Sequence, residues 1–485
     1  MMDSTSPEAK ATRKRVLRVL FISLLLDLIS FTFILPLFPK LLEFYRETET
    51  SAGSTSVLNS VLDALNTYKN SFAKPISSRY DIVLLGGALG SLFSFLQAIA
   101  SPIIGRLSDK YGRRTALLWS MCGNIASVAL WVAATDFRTF LASRVVGGLS
   151  EGNVQLALAI ATDISDETQR GATMALVGAC FSIAFTFGPA LGAWLSNITT
   201  VAANPFATAA GFSLFLIVTE TIYLYHSLPE TLPIVVASSS SSKERKDDDD
   251  DDDKTNNKNP TANGPTTNPR PLLVRTNSHL LLNFTHFFFI LFFSGMEFSL
   301  PFMTYDLFSY AAKDSGKLLG FIGLVASVLQ GAVTRRMHPL RVVQLGVVSA
   351  SIAFFMLGRV ASERALYAAA ALLAVTSATV VTGLNSLSSF EAQAGERGAK
   401  LGNHRSFGQI GRSIGPLLFC SLYWWAGRET AYSIGGAGMV AVCAVVFGGL
   451  KVPPGTETVS VRGTKKKAAT GAGVKGVNGS GKKMQ

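Results

Sequence analysis

The chain reads as an all-α membrane protein with twelve transmembrane helices in two six-helix bundles. Three observations predict this. Only 16% of its 485 residues are charged, whereas a typical soluble domain carries about 25%. Apolar segments long enough to cross a bilayer, which takes about 20 residues, recur along the whole chain. A polar stretch at 234–279 then divides them six from six. It holds Ser238–Ser242, the aspartate run Asp247–Asp253 and an Asn/Pro/Thr-rich segment, and no packed core can form from such a composition.

In the first half the spans read as 16–39, 81–103, 115–134, 139–162, 171–194 and 205–228. In the second half they read as 280–303, 317–334, 340–358, 364–388, 403–427 and 430–451. Several are short or rich in Gly and Ser, which spanning helices tolerate where they face each other or a cavity. The domains follow: a cytosolic tail at 1–15, a bundle at 16–233, a disordered cytosolic linker at 234–279, a bundle at 280–452 and a basic cytosolic tail at 453–485. Orientation comes from the 44 lysines and arginines, most of which fall in the tails and the even-numbered loops and so mark the inner side. Arg13, Lys14, Arg15 and Arg18 pin the start of span one there, and no cleavable-signal pattern precedes it. The first external loop, at about 40–80, is long, with weak helical periodicity at 57–67.

The most telling motif is Gly105-Arg106-Leu107-Ser108-Asp109-Lys110-Tyr111-Gly112-Arg113-Arg114, set in the turn between spans two and three. It resembles the signature loop of the major facilitator superfamily. Leu26-Asp27-Leu28-Ile29 with Ile34–Pro39 in span one, and Ser143-Arg144-Val145-Val146-Gly147-Gly148 running on to Ala161-Thr162-Asp163 in span four, resemble tetracycline/proton antiporters. Gly188-Pro189-Ala190-Leu191-Gly192 in span five matches the core of an antiporter motif without its upstream glycines. Leu228-Pro229-Glu230-Thr231 ends span six as in that family. Gly331…Arg335-Arg336 and Gly411-Arg412-Ser413-Ile414-Gly415-Pro416 echo the pattern in the second half. The whole is closest to the eukaryotic tetracycline-transporter-like proteins.

The resemblance implies a mechanical role for the loop that these residues can fill. Gly105 and Gly112 allow close approach and tight turning. Asp109 can sit at the N-terminal end of a helix from the opposite half, where the dipole favours an anion. Arg113 can reach Asp163 at the cytosolic end of span four. Arg106 and Arg114 can simply enforce topology.

Ionisable side chains inside a membrane are costly, so they face a cavity or a partner. Ser23, Asp27 and Ser30 share one face of span one. Arg144, Gly148, Glu151 and Gln155 form a stripe on span four, and Arg405, Gly408 and Arg412 another on span eleven. Glu297 lies in the outer part of span seven. Asp27, Arg144, Glu151, Glu297 and Arg412 are therefore read as proton-coupling or cavity residues, against the plainer reading that they pair within the bundle to fix packing. Glu220 and His286, nearer span ends, read as structural or interfacial.

Other signals have ordinary explanations. Cys122, Cys180, Cys420 and Cys443 fall within spans, with no metal spacing and no disulfide framework. Gly148-Leu149-Ser150-Glu151-Gly152 matches a hydrolase elbow, but that needs a strand-to-helix turn, so no enzyme is expected. No phosphate-binding loop occurs, and neither cofactor, metal nor nucleic acid is implied. Of three sequons, only Asn197 falls on the external side. The expectation is a multi-pass secondary active transporter in the plasma membrane or an internal membrane, functional as a monomer. It would move small organic compounds by alternating access as a proton-coupled antiporter. An organic-anion uniporter or symporter is the alternative within transport, drawn by Arg144, Arg405 and Arg412. A non-transporting scaffold or receptor on the same fold is the alternative outside it.

Overall fold

The computed structural model describes residues 7–34, 37–50, 56–72, 81–195, 198, 204–232, 276–310, 312–393 and 395–453. The linker up to residue 275, the basic tail beyond residue 453 and the Asn197 and Asn478 sequons lie outside the described residues. Among the described residues every element is helical. The first half comprises α1 (Pro7–Thr32), α2 (Phe38–Thr50), α3 (Val57–Asn70), α4 (Asp81–Tyr111), α5 (Arg113–Val132), α6 (Phe137–Ser150), α7 (Asn153–Asp163), α8 (Glu167–Leu195) and α9 (Ala207–Ser227). The second comprises α10 (His279–Phe308), α11 (Ala312–Ala332), a 3-10 turn at Thr334–Arg336, α12 (Pro339–Gly358), α13 (Glu363–Phe390), α14 (Arg397–Ala426) and α15 (Arg428–Gly449).

Each half builds its own core. One apolar cluster runs from Val16 to Leu228 and takes in a single residue of the second half, Leu401. Another runs from Leu282 to Leu450 within the second half alone. Between these cores the contact is made by a few close-packed pairs. A Cβ at Gly105 of α4 would overlap the Gly398 carbonyl of α14, and one at Gly402 would overlap the Ser101 carbonyl. On the other flank α8 meets α11 and α13. Ser182 Oγ donates to Gln330 Oε1 at 2.8 Å and Gln330 Nε2 to the Ala378 carbonyl at 3.2 Å. Small residues at these crossings let backbones approach where lipid gives no hydrophobic drive to helix pairing.

Span two, read as 81–103, runs on to Tyr111 and carries most of the 105–114 motif within its helix. Span eleven, read as 403–427, begins at Arg397. Two further spans differ more deeply. Span one, read as 16–39, begins within the tail at Pro7 and ends at Thr32, short of Pro36, whose ring and missing N–H stop a helix. The chain resumes as α2, which buries Leu41, Leu42 and Tyr45 in the first core. Span four, read as one helix over 139–162, is broken into α6 and α7 at Glu151-Gly152. Ser120 of α5 stitches the break. Its hydroxyl donates to the Ser150 carbonyl and accepts the Gly152 N–H at 2.8 Å. Broken backbone at membrane depth survives only when its freed groups are satisfied in this way.

Length and hydropathy alone single out nine of the described helices as able to cross a membrane. The three spans that fall short are α1, the α6/α7 pair and α14. These are the spans that carry Asp27, Arg144 with Glu151, and Arg405 with Arg412.

A charged latch between the halves and a central polar cavity

The 105–114 turn is built from both its flanking helices. Gly112 takes φ +103 and stands at the N-cap of α5 with no side chain to cap it. Glu230, after α9, supplies the missing cap. It accepts the N–H of Arg113 at 2.8 Å and of Arg114 at 3.1 Å. A Cβ on Gly112 would collide with that carboxylate, so both the dihedral and the space call for glycine. Arg114 donates to the Tyr225 carbonyl at 2.6 Å, and Arg106 to the Pro102 carbonyl at 3.2 Å.

The N-cap of α14, Glu396, makes no capping bond of its own. Asp109, from the other half of the molecule, makes it instead. Its two oxygens accept the Gly398 N–H at 2.9 Å and the Ala399 N–H at 2.7 Å. A carboxylate at a helix N-terminus satisfies orphan N–H groups and meets the positive end of the dipole. Arg113, fully buried, joins Asp109 at 2.7 Å and Asp163 at 2.8 Å and donates to Ser108 Oγ at 2.6 Å. Asp163 also receives Arg397 of the second half, at 2.9 Å. Two carboxylates and two guanidiniums thus neutralise one another where Coulomb attraction is poorly screened.

A second arm lies across the same end. Arg397 donates to the Thr162 carbonyl at 3.4 Å, and Arg170 of α8 donates to the Ser389 carbonyl of α13 at 3.2 Å. Within each half the donor arginine follows the accepting carbonyl by the same interval, 162 to 170 and 389 to 397, so that each half offers its arginine to the other's carbonyl. Where Arg397 meets the Asp163 carboxylate, Arg170 lies over the Phe390 ring, 4.9 Å from its centroid. The first arm includes an ion pair and the second a cation–π contact.

Deeper in the first half, a cavity of about 50 Å³ is lined by Asp27, Phe31, Phe93, Asn124, Arg144 and Glu151 among others. The break in span four places Glu151 there, with Asn124 Nδ2 at 3.4 Å. Arg144 lies over two rings, Phe140 at 5.3 Å and Phe93 at 5.9 Å, with no carboxylate within ion-pair distance among the described residues. Asp27, 4% exposed, lines this cavity together with Glu151, and the charge of Arg405 on α14 acts on both. Its α1 neighbours are bonded to α9. Ser23 donates to Glu220 Oε1 at 2.6 Å and Ser30 meets Ser213 Oγ at 2.5 Å, both on α9.

The structure therefore groups Asp27, Arg144 and Glu151. Glu297 and Arg412 do not line this cavity. They face each other between α10 and α14 at 3.6 Å. Gly188 lies where α8 crosses α1, and a Cβ there would overlap Thr32 Oγ1. Pro189 and Gly192 lie on the same helix. Several residues were not assigned from sequence. Glu220, read as structural or interfacial, is 1% exposed and accepts from Ser23, one turn from Asp27 on α1. Arg397, Arg170 and Ser120 had no assignment; the matched 162–170 and 389–397 segments are the signal that could have found the first two. His286, read as structural or interfacial, is buried and stacks on His404 at 4.3 Å.

Comparison with known proteins agrees with this architecture. The family model described as Major Facilitator Superfamily matches residues 20–416. Major facilitator superfamily domain-containing protein 10 of Bos taurus is 34% identical over 448 residues, covering 91% of this chain and 92% of the relative. The tetracycline resistance protein, class E, of Escherichia coli is 23% identical over 370 residues, covering 74% and 84%. Among solved structures, the human organic anion transporter MFSD10 (TETRAN) superposes with a TM-score of 0.76 at 30% identity, covering 90% of this chain and 99% of the other. The proton:xylose symporter XylE gives a TM-score of 0.63 at 13% identity, a likeness of fold. These matches make the chain a multi-pass membrane transporter rather than an enzyme, and it belongs to the major facilitator superfamily.

Proposed function

We propose that this transporter carries small organic compounds, organic anions foremost, by alternating access, with protons moving the opposite way through Asp27, Glu151 and Glu220. The observation that carries the reading is the broken span four. Interrupted transport helices mark binding sites near mid-membrane, and this break sets Glu151 in one cavity with Arg144 and Asp27, with Glu220 bonded to Ser23 one turn from Asp27 and Arg405 adding its charge from the other half. Three acids stand against two guanidiniums, so a proton is the natural counterweight to the excess carboxylate. The organic-anion class is supported by Arg144 and Arg405, and by the activity in the name of the human relative. Asp109, Arg113, Asp163 and Arg397 form the gate at the cytosolic end, with Gly105 and Gly112 permitting its close fit.

A second reading, co-transport of anion and proton, is favoured by the same charges. A proton on the acid cluster raises the local potential and so strengthens anion binding. The two readings differ electrically. Exchanging one anion for one proton moves two charges the same way, and a potential acts on it by about 4.6 kcal/mol per 100 mV. One-to-one co-transport moves no net charge. Flux of an organic anion should be measured in proteoliposomes with a pH gradient and a potassium-diffusion potential set independently. Exchange requires that the potential alone drives accumulation. Accumulation that follows the pH gradient and ignores the potential selects co-transport, and indifference to both removes proton coupling.

A further inference from the structure

The gate at the 105–114 end has no charged counterpart at the far end among the described residues, yet the far end is also bridged. Helix α3 lies there, in the loop between spans one and two. It is a formed element, with Ser56 Oγ capping the Asn59 N–H at 3.1 Å. It belongs to the first half. Leu58 is buried in the first core, with Val61 and Leu65 packed against it, and Lys69 pairs with Asp81 at the start of α4 at 2.5 Å. Its last turn nevertheless crosses to the second half. Tyr68 Oη meets Ser421 Oγ at 2.5 Å and donates to the Leu417 carbonyl of α14 at 3.3 Å. The Tyr68 and Phe72 rings lie 6.4 and 5.9 Å from Trp424, which packs on Phe302 of α10 at 5.9 Å. Close by, the Phe298 ring of α10 covers Gly87 of α4, where a Cβ would overlap it.

We propose that α3 is a strap that closes the far end of the transport path, with Tyr68 as its catch on α14. Anchored to one half and touching the other only through its last turn, α3 must release α14 whenever the halves part at that end. Hydroxyl and ring-edge contacts suit such a catch, being weak singly and quickly remade. Helix α14 is then held at both ends by the first half: its N-terminus by Asp109 and its last turns by Tyr68. The strap presupposes the alternating access proposed above, but closure of an end can be read without any substrate or proton gradient.

The test uses the full chain with its four native cysteines replaced and one reporter cysteine added. Ser127 of α5 lines the cavity, so Ser127→Cys reports it, and Ser101→Cys reports the inter-half contact near the 105–114 end. A membrane-impermeant maleimide is applied from the far side, and from the opposite side for Ser101→Cys. Tyr68→Phe removes the hydroxyl contacts and keeps the ring. It should raise far-side labelling of Ser127→Cys about five-fold, the population shift expected of one ordinary hydrogen bond. Tyr68→Ala also removes the aromatic contacts and should raise it by a further factor of about five. Labelling of Ser101→Cys should stay unchanged or fall. Unchanged Ser127→Cys labelling in both variants overturns the proposal. So does a parallel rise at Ser101→Cys, which marks general loosening. If Tyr68→Ala does not fold, the hydroxyl prediction for Tyr68→Phe decides alone.

Discussion

Asp163 serves two arginines at once: Arg113 within its own half and Arg397 from the other. Asp109 likewise holds Arg113 while capping α14. Replacing Asp109 by Asn keeps one capping bond and leaves Arg113 short of a buried counter-charge, a loss of about 3–5 kcal/mol when a buried pair is broken. The change falls on the closed state of one end and not on substrate contacts. Turnover should therefore drop at least about tenfold with KM little altered, since only the conformational step loses stabilisation. Initial-rate flux over a range of substrate concentration checks this, and a rise in KM alone would point to a binding role. In the cavity, Asp27→Asn should abolish gradient-driven accumulation and leave downhill flux. Glu220→Gln should shift the pH dependence of that flux, because Glu220 is bonded to Ser23, one turn from Asp27; a pH profile identical to wild type would remove Glu220 from the proton path. Asp109 was legible because the spacing of its loop is distinctive. Glu220 was not, because depth along one span says nothing about which span lies alongside. Its partner Ser23 is in α1, nearly the whole half away in sequence.

At the scale of elements, the broken span four rests on one hydroxyl. Ser120→Ala leaves the Ser150 carbonyl and the Gly152 N–H without their partner, and each unsatisfied buried group costs about 1–3 kcal/mol. Thermal unfolding in detergent should occur several degrees lower, and an unchanged midpoint would mean that water or a shift of α5 replaces the bonds. Transport should fall in parallel, since the break positions Glu151. The helices themselves were largely readable from apolar runs. The break was not, because Gly148-Leu149-Ser150-Glu151-Gly152 sits inside an apolar stretch and nothing local says whether the two sides stay collinear. The decision comes from outside the span: from Ser120, and from Ile104, which leaves no room for a Cβ on Gly152. Likewise, α6 and α7 are each too short to count as a span because of the break, while α1 carries Arg15, Arg18 and Asp27, and α14 carries Arg397, Lys400, Arg405 and Arg412, where a plain anchor would place leucine.

At the scale of the whole molecule, the end bearing the 105–114 turn is held by two unequal arms in mirrored positions. A cation–π contact contributes about 0.5–2 kcal/mol, and Arg397 adds a charge-assisted bond in a nearly buried setting. Arg397→Gln should therefore widen the distance distribution between spin labels on α7 and α14 more than Phe390→Leu widens that between α8 and α13. Equal effects would show that the carbonyl contacts common to both arms carry the closure. When this end parts, the bookkeeping of charge is lopsided. Asp163 leaves with Arg113 still attached, and Asp109 leaves with the same arginine. What stays behind on α14 is Arg397 and a row of uncapped N–H groups at the positive pole of the helix. Under the alternating access proposed above, that mouth would offer a negatively charged solute its first positive contact, before Arg144 or Arg405. Capture there should slow as ionic strength rises and the field is screened beyond about 10 Å, while the same solute entering from the far side meets aromatic rings and hydroxyls and is far less sensitive to salt.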